Sequence, residues 1–135
     1  MGKATEIFAM TQTASGAKTG LPRILVAEND LILAMTMVDE LTASGFETVG
    51  PARTEAEALR LIAHQTVDAA LLDLRLDDGT CFALARTLET RGIPFAFVTG
   101  ESADAIPEQF QQIDVLQKPV TAVLLATLLD KLLQG

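Results

Sequence analysis

Five short apolar runs, each followed by a stretch whose apolar residues recur at helical spacing, leave this chain few folds to choose from. The runs are 23–28, 46–50, 67–72, 93–99 and 113–117, each of strand length, and 67–72 is nearly all apolar, as a strand buried on both faces reads. Between them the spacing predicts a helix over 30–44, with Leu31, Ala34, Met35, Val38 and Leu41 inward and Gly45 at its C-cap. A second helix opens on the capping signature Thr54-Glu55-Ala56-Glu57 and turns Ala58, Leu59 and Ile62 inward. A third covers 80–91 and ends at Gly92, a short one covers 103–111, and the last starts after Pro119 and runs to about Leu133. The second strand stops at Pro51. Alternating strands and helices with right-handed crossovers predict an α/β fold, a three-layer doubly wound five-stranded parallel sheet. For five strands at this length the fitting order is 2-1-3-4-5, with its switch point between the first and third strands.

The strand ends carry the chemistry. Glu28 and Asn29 close the first run, Asp73 the third, Thr99 the fourth, and Lys118 the fifth, just before Pro119. In a parallel sheet these ends open on one edge, and Glu28, Asn29 and Asp73 fall at the switch point, where sheets of this kind bind ligands. Magnesium takes oxygen ligands and typically only one or two protein carboxylates. Glu28, Asp73, the Asn29 amide oxygen and a backbone carbonyl after Asp73 form such a set. A carboxylate is also a competent phosphoryl acceptor. Lys118 would pair with a phosphoryl oxygen, Thr99 would donate to another, and Gly100 leaves room for the group to enter. Taken singly, an Asp, Asn or Thr at a strand end is usually a helix cap, and a lysine before proline an ordinary surface residue. Their coincidence at four strand ends favours the chemical reading.

Composition removes other classes. At 135 residues, 49% of them apolar, the chain can build one core without disulfides or structural metal. Residues 1–20 lack a sustained period and are expected to be a flexible arm carrying an apolar patch, Ile7-Phe8-Ala9-Met10; residues 21–135 form the folded domain. No apolar stretch approaches a membrane span and no secretory signal opens the chain, so a cytoplasmic protein without membrane contact is expected. With 18 acidic against 10 basic residues and a net charge of −8, nucleic acid is not an expected partner. The single Cys81 reads as a buried hydrophobe, and His64, with no second His or Cys near it, as a surface residue ending a helix. No Gly-rich phosphate loop follows the first strand, which disfavours a flavodoxin-like enzyme or nucleotide binder.

Five segments together resemble the response-regulator receiver domain of two-component signalling: Ile24-Leu25-Val26-Ala27-Glu28-Asn29-Asp30, Leu71-Leu72-Asp73-Leu74, Asp78-Gly79, Val98-Thr99-Gly100 and Lys118-Pro119. The likeness covers about residues 22–133. The stretch Pro94 to Gly100, with Ile106-Pro107-Glu108 beyond it, is similar to one proteobacterial subgroup of single-domain regulators whose phenylalanine-bearing fourth strand ends in Thr-Gly. The resemblance implies that Asp73 accepts a phosphoryl group from a histidine kinase or histidine phosphotransfer protein in a two-component system or phosphorelay. It implies Mg2+ held by Glu28, Asn29, Asp73 and the main-chain carbonyl of Arg75, a switch hydroxyl at Thr99, a phosphoryl-binding Lys118, and a cis peptide at Lys118-Pro119. Turnover as an enzyme is not implied, beyond Mg-dependent self-phosphorylation from a phosphodonor.

Three departures stand against the family pattern. Asn29 replaces the usual Asp and removes one charge from the metal site. The loop after Asp73 is short, with only Leu74 to Asp78 before Gly79. Val115 occupies the place of a common switch aromatic, and the chain has no tyrosine or tryptophan, so the signal must leave by another route. With no effector domain after residue 135, output is expected through contact with a downstream protein. Val120, Val123, Leu124, Leu125, Leu128, Leu129, Leu132 and Leu133 spread over roughly 200° of the last helix, wider than the ~100° one packed face needs. The surplus suggests a partner surface on the last strand and helix, a homodimer among the options. The alternative to a phosphorylated switch is a pseudo-receiver, a binding module of the same fold that does not use phosphorylation because Asn29 weakens the metal.

Overall fold

The computed structural model describes residues 20–134; the expected arm with its Ile7-Phe8-Ala9-Met10 patch lies outside the described residues. Seven strands and four α-helices follow in order: β1 (Arg23–Ala27), α1 (Leu31–Ala43), β2 (Glu47–Ala52), α2 (Glu55–His64), β3 (Ala69–Leu72), β4 (Arg75–Leu76), β5 (Gly79–Thr80), α3 (Phe82–Thr90), β6 (Phe95–Thr99), β7 (Val115–Gln117) and α4 (Ala122–Gln134). The main sheet runs β2-β1-β3-β6-β7, all pairs parallel, which is the expected 2-1-3-4-5 order. The fifth-run strand is thus β7, because β4 and β5 form a separate antiparallel hairpin that the sequence reading passed over.

Strand parity divides the core into two layers. Leu25, Ala27, Ala70, Leu72, Phe95 and Phe97 face α2 and α3, while Ile24, Val26, Ala69, Leu71, Ala96 and Val98 face α1 and α4. On the first side four phenylalanines pack ring to ring: Phe97 meets Phe82, Phe95 and Phe110 edge-on at 6.2, 5.7 and 6.0 Å between centroids. On the second, Met37 and Leu41 of α1 meet Leu125, Leu129 and Leu132 of α4. Each such leucine taken fully out of water contributes about 1.5–3 kcal/mol.

Four expectations need correction. The buried face of α1 is Ala34, Met37 and Leu41, whereas Leu31, Ile32 and Met35 are exposed. The helix meets the sheet one step round from the leucine-led stripe, because Met37 and not Met35 reaches the α4 contact. Strand β2 does not stop at Pro51 but runs through the cis Gly50–Pro51 bond to Ala52, with a register shift opposite Leu25–Ala27. As an edge strand it tolerates the missing N–H. The helix expected over 103–111 is two 3-10 turns, Ala103–Ala105 and Glu108–Phe110. Pro107 separates them; it cannot donate, and Ile106 before it is extended, as residues preceding proline tend to be. The strands at 67–72, 93–99 and 113–117 begin two residues later than expected.

Other expectations hold. Thr54 Oγ1 accepts from the Glu57 N–H at 3.0 Å, forming the cap of α2, and His64 is exposed in its last turn. Cys81 is fully buried at the start of α3, and burial, with the charges of Glu55 and Asp73, pushes its thiol up to about 12.

Candidate functional site

The backbone ladder carries the polar strand ends into one cluster. Beyond β1 and β3, the Glu28 N–H donates to the Ala52 carbonyl and the Asp73 N–H to the Ala27 carbonyl, both at 2.9 Å. At the far side the Lys118 N–H donates to the Thr99 carbonyl at 2.9 Å, and the Lys118–Pro119 bond is cis. Pairing thus fixes three chain segments before any side chain is considered.

Glu28, Asp73 and Lys118 meet. Lys118 Nζ lies 3.0 Å from Asp73 Oδ2 and 3.1 Å from Glu28 Oε1. The second Glu28 oxygen accepts from the Asp30 N–H at 2.9 Å. Asp30 in turn caps α1, its side chain accepting from the Leu33 N–H. Glu28 and Asp73 are both buried, and Lys118 reaches them from a half-buried position. Burial pushes the Glu28 carboxyl up to about 7, with the neighbouring Asp73 adding to the rise and Asp30 and Lys118 offsetting part of it. Desolvation pulls on Lys118 in the opposite sense, yet its two carboxylate partners hold the ammonium above its ordinary value.

The remaining expected residues lie around this trio. Asn29 is half-buried directly after Glu28. Thr99 is fully buried at the end of β6, and its Oγ1 accepts from the Glu101 N–H at 3.0 Å. Arg75 begins β4, two residues past Asp73; its exposed side chain turns to Glu101, Nε to Oε2 at 3.0 Å. At Gly100 an added Cβ would meet nothing within 4 Å, so the approach beside Thr99 is open.

Sequence reasoning missed the groups that tie the rim together. The hairpin aims Asp78 at the start of α2, where its carboxylate accepts from the N–H groups of Glu55 and Ala56 at 2.7 and 3.2 Å. These bonds hold the Asp78 carboxyl below its ordinary value. Glu55 then caps α3 by accepting from the Leu84 N–H at 2.7 Å. The Asp78-Gly79 pair signals a turn, but not the helix that its carboxylate serves.

The donor set suits a small hard cation: two carboxylates, one crowded enough to resist ionisation, with an amide alongside. Among the described residues no group of three or more His, Cys, Asp or Glu forms a metal cluster. Magnesium held by only two carboxylates keeps several waters. An ammonium held between two carboxylates is equally placed to meet an anion arriving on Asp73.

Comparison with known proteins agrees with the fold. SdrG from Sphingomonas melonis Fr1 is 38% identical with a TM-score of 0.74, over 84% of this chain and 97% of that one. A BeF3-activated conformation of SdrG, from Pseudomonas melonis Fr1, also gives 38% identity, with a TM-score of 0.72 over 82% and 95% of the chains. The receiver domain of Erythrobacter litoralis PhyR, 19% identical, shares the fold with a TM-score of 0.76 over 86% and 92%. A search of curated protein sequences returned no significant match. The family model of the response regulator receiver domain matches residues 24–130, a range that takes in all of the main sheet but Arg23 and contains Glu28, Asp73, Thr99 and Lys118. The chain belongs to the response regulator receiver domain family.

Proposed function

We propose that this receiver takes a phosphoryl group on Asp73 from a phosphohistidine of a kinase or phosphotransfer protein and signals in the cytoplasm by contact with a downstream protein. The observation that carries the reading is Lys118 Nζ within 3.1 Å of both Glu28 and Asp73 at the switch point of the sheet. An Asp73 oxygen attacks phosphorus, the phosphorus–nitrogen bond breaks, and the imidazole leaves with the electron pair. Lys118, 3.0 Å from Asp73 Oδ2, neutralises one phosphoryl oxygen. Thr99 turns its hydroxyl to donate to another. Glu28, Asp73, the Asn29 amide oxygen and the Arg75 carbonyl would hold Mg2+, which supplies charge neutralisation for the transferred group. The exposed α1 residues Leu31, Ile32 and Met35, beside the same sheet edge, offer apolar contact to a partner helix bearing the histidine.

Incubation with Mg2+ and acetyl phosphate, read by mass spectrometry, tests the proposal. One added phosphoryl group is expected, lost in Asp73→Ala, with circular dichroism checking that the variant folds. Asn29→Asp, which restores a charged ligand, should raise Mg2+ affinity by on the order of tenfold. No mass gain at any magnesium concentration, with or without that substitution, overturns the reading in favour of a pseudo-receiver. That alternative draws on Asn29 being neutral.

A further inference from the structure

Glu101 is held at three points, each belonging to a different strand end. Its N–H donates to Thr99 Oγ1 at 3.0 Å. Its carbonyl accepts from Gln117 Nε2 at 2.9 Å. Its carboxylate pairs with Arg75, at 3.0 Å from Nε and 3.4 Å from Nη2. Gln117 is the last residue of β7, an edge strand whose Val115 and Gln117 are exposed and whose Leu116 is half-buried. The backbone there is pinned by the ladder, since Thr99 pairs with Gln117 and the next N–H bonds the Thr99 carbonyl. The carboxamide of Gln117 is therefore the part of the β7 end that is free to change partner.

We propose that Glu101 couples occupancy of Asp73 to the Gln117 side chain, and so carries the signal to the outer edge of β7. The inference rests on the phosphoacceptor reading of Asp73. Two forces act on Glu101 when Asp73 carries a phosphoryl group. Thr99 Oγ1 can accept the Glu101 N–H and donate at once, so release comes from moving the oxygen. Rotation about Cα–Cβ toward the phosphoryl group carries it between staggered wells about 120° apart and away from that N–H. An aspartyl phosphate carries about −1.5 to −2 where an ionised carboxylate carries −1, a net gain of up to about one negative charge two residues from Arg75, whose pair with Glu101 is exposed and easily exchanged. Released at both points, the turn at 100–102 moves, its carbonyl leaves Gln117, and the carboxamide turns to solvent beside Val115. No ring is needed for this route, which suits a β7 that carries Val115 in place of an aromatic.

The side-chain amide resonances of Gln117 in an 15N-labelled sample read the coupling directly. In the unliganded protein, Thr99→Val removes the acceptor of the Glu101 N–H. It should move the Gln117 resonances to those of a free carboxamide and speed their proton exchange several-fold. Beryllofluoride with Mg2+, a phosphoryl mimic, should shift them in the same direction in the unsubstituted chain, together with the backbone amides of Ala27 and Leu74. A Gln117 carboxamide unmoved in correctly folded Thr99→Val overturns the coupling whatever happens at Asp73. Shifts at Ala27 and Leu74 without one at Gln117 overturn the coupling and leave the phosphoacceptor intact. Beryllofluoride that shifts none of them overturns the phosphoacceptor reading, and the coupling with it.

Discussion

The carboxyl of Glu28 shows what a strand end can do to one residue. Buried to 1% exposure, it keeps a lysine and one N–H as partners yet faces the Asp73 carboxylate, and ionises only near 7 where an ordinary glutamate ionises near 4.5. The folded state therefore holds this proton more tightly than the unfolded chain does. The associated stability is complete below about 4.5 and is lost as pH rises through about 7. At ~1.4 kcal/mol per pKa unit the loss is on the order of 3 kcal/mol. Glu28→Gln keeps the shape and removes the titration. Urea unfolding at pH 5 and at pH 8 should show the unsubstituted protein losing about that much relative to the variant; parallel pH profiles would refute the account. At this scale Glu28, Asp73 and Lys118 were legible because a strand end fixes where a side chain emerges. The partners of Thr99, Arg75 and Gln117 were not, since all three meet at Glu101, in a loop whose path no periodicity encodes.

Among elements, β2 is constrained at one point by its backbone. Gly50 has φ +96°, and a Cβ there would lie 2.8 Å from the Ala52 N and 3.0 Å from the Val26 carbonyl, both backbone atoms that cannot yield. Gly50→Ala should cost roughly 2 kcal/mol or more, through strain and contact together, measured as a lowered urea midpoint at unchanged slope. A loss within ~0.5 kcal/mol would mean the bulge relaxes freely. The sequence marked this strand as ending at Pro51, because proline normally interrupts pairing; only its edge position lets it continue. The helices were legible wherever a cap and a period agreed, as at Thr54. Over 103–111 the pattern carried a proline in its middle, and the 3-10 turns are what remains of a helix deprived of that donor. The β4–β5 hairpin, two residues to a strand, is too short for any alternation to announce it.

Across the whole molecule the charge and the apolar surface oppose each other. The chain carries −8 net, while Val123 and Leu124 on α4 and Val115 on β7 stay 75%, 48% and 39% exposed. Copies repel at long range and would adhere at this face once the repulsion is screened, the Debye length falling from about 10 Å at 0.1 M salt to about 3 Å at 1 M. Sedimentation velocity should show self-association strengthening with salt and abolished by Val123→Asp with Leu124→Asp. Monomers at every salt concentration would reserve the face for another protein.

The phenylalanine cluster has a consequence for the field at the site. The rings under β6 bear no hydroxyl, and Cys81 beside them is so poorly hydrated that the Asp73 charge helps to raise its thiol. Below the sheet edge the protein is therefore an insulating floor of low permittivity. Field lines from any charge placed on Asp73 are turned away from the interior and crowd out through the open rim. Lys118, which meets Asp73 at 3.0 Å on that rim, feels such a charge more strongly than it would in a water-filled cleft.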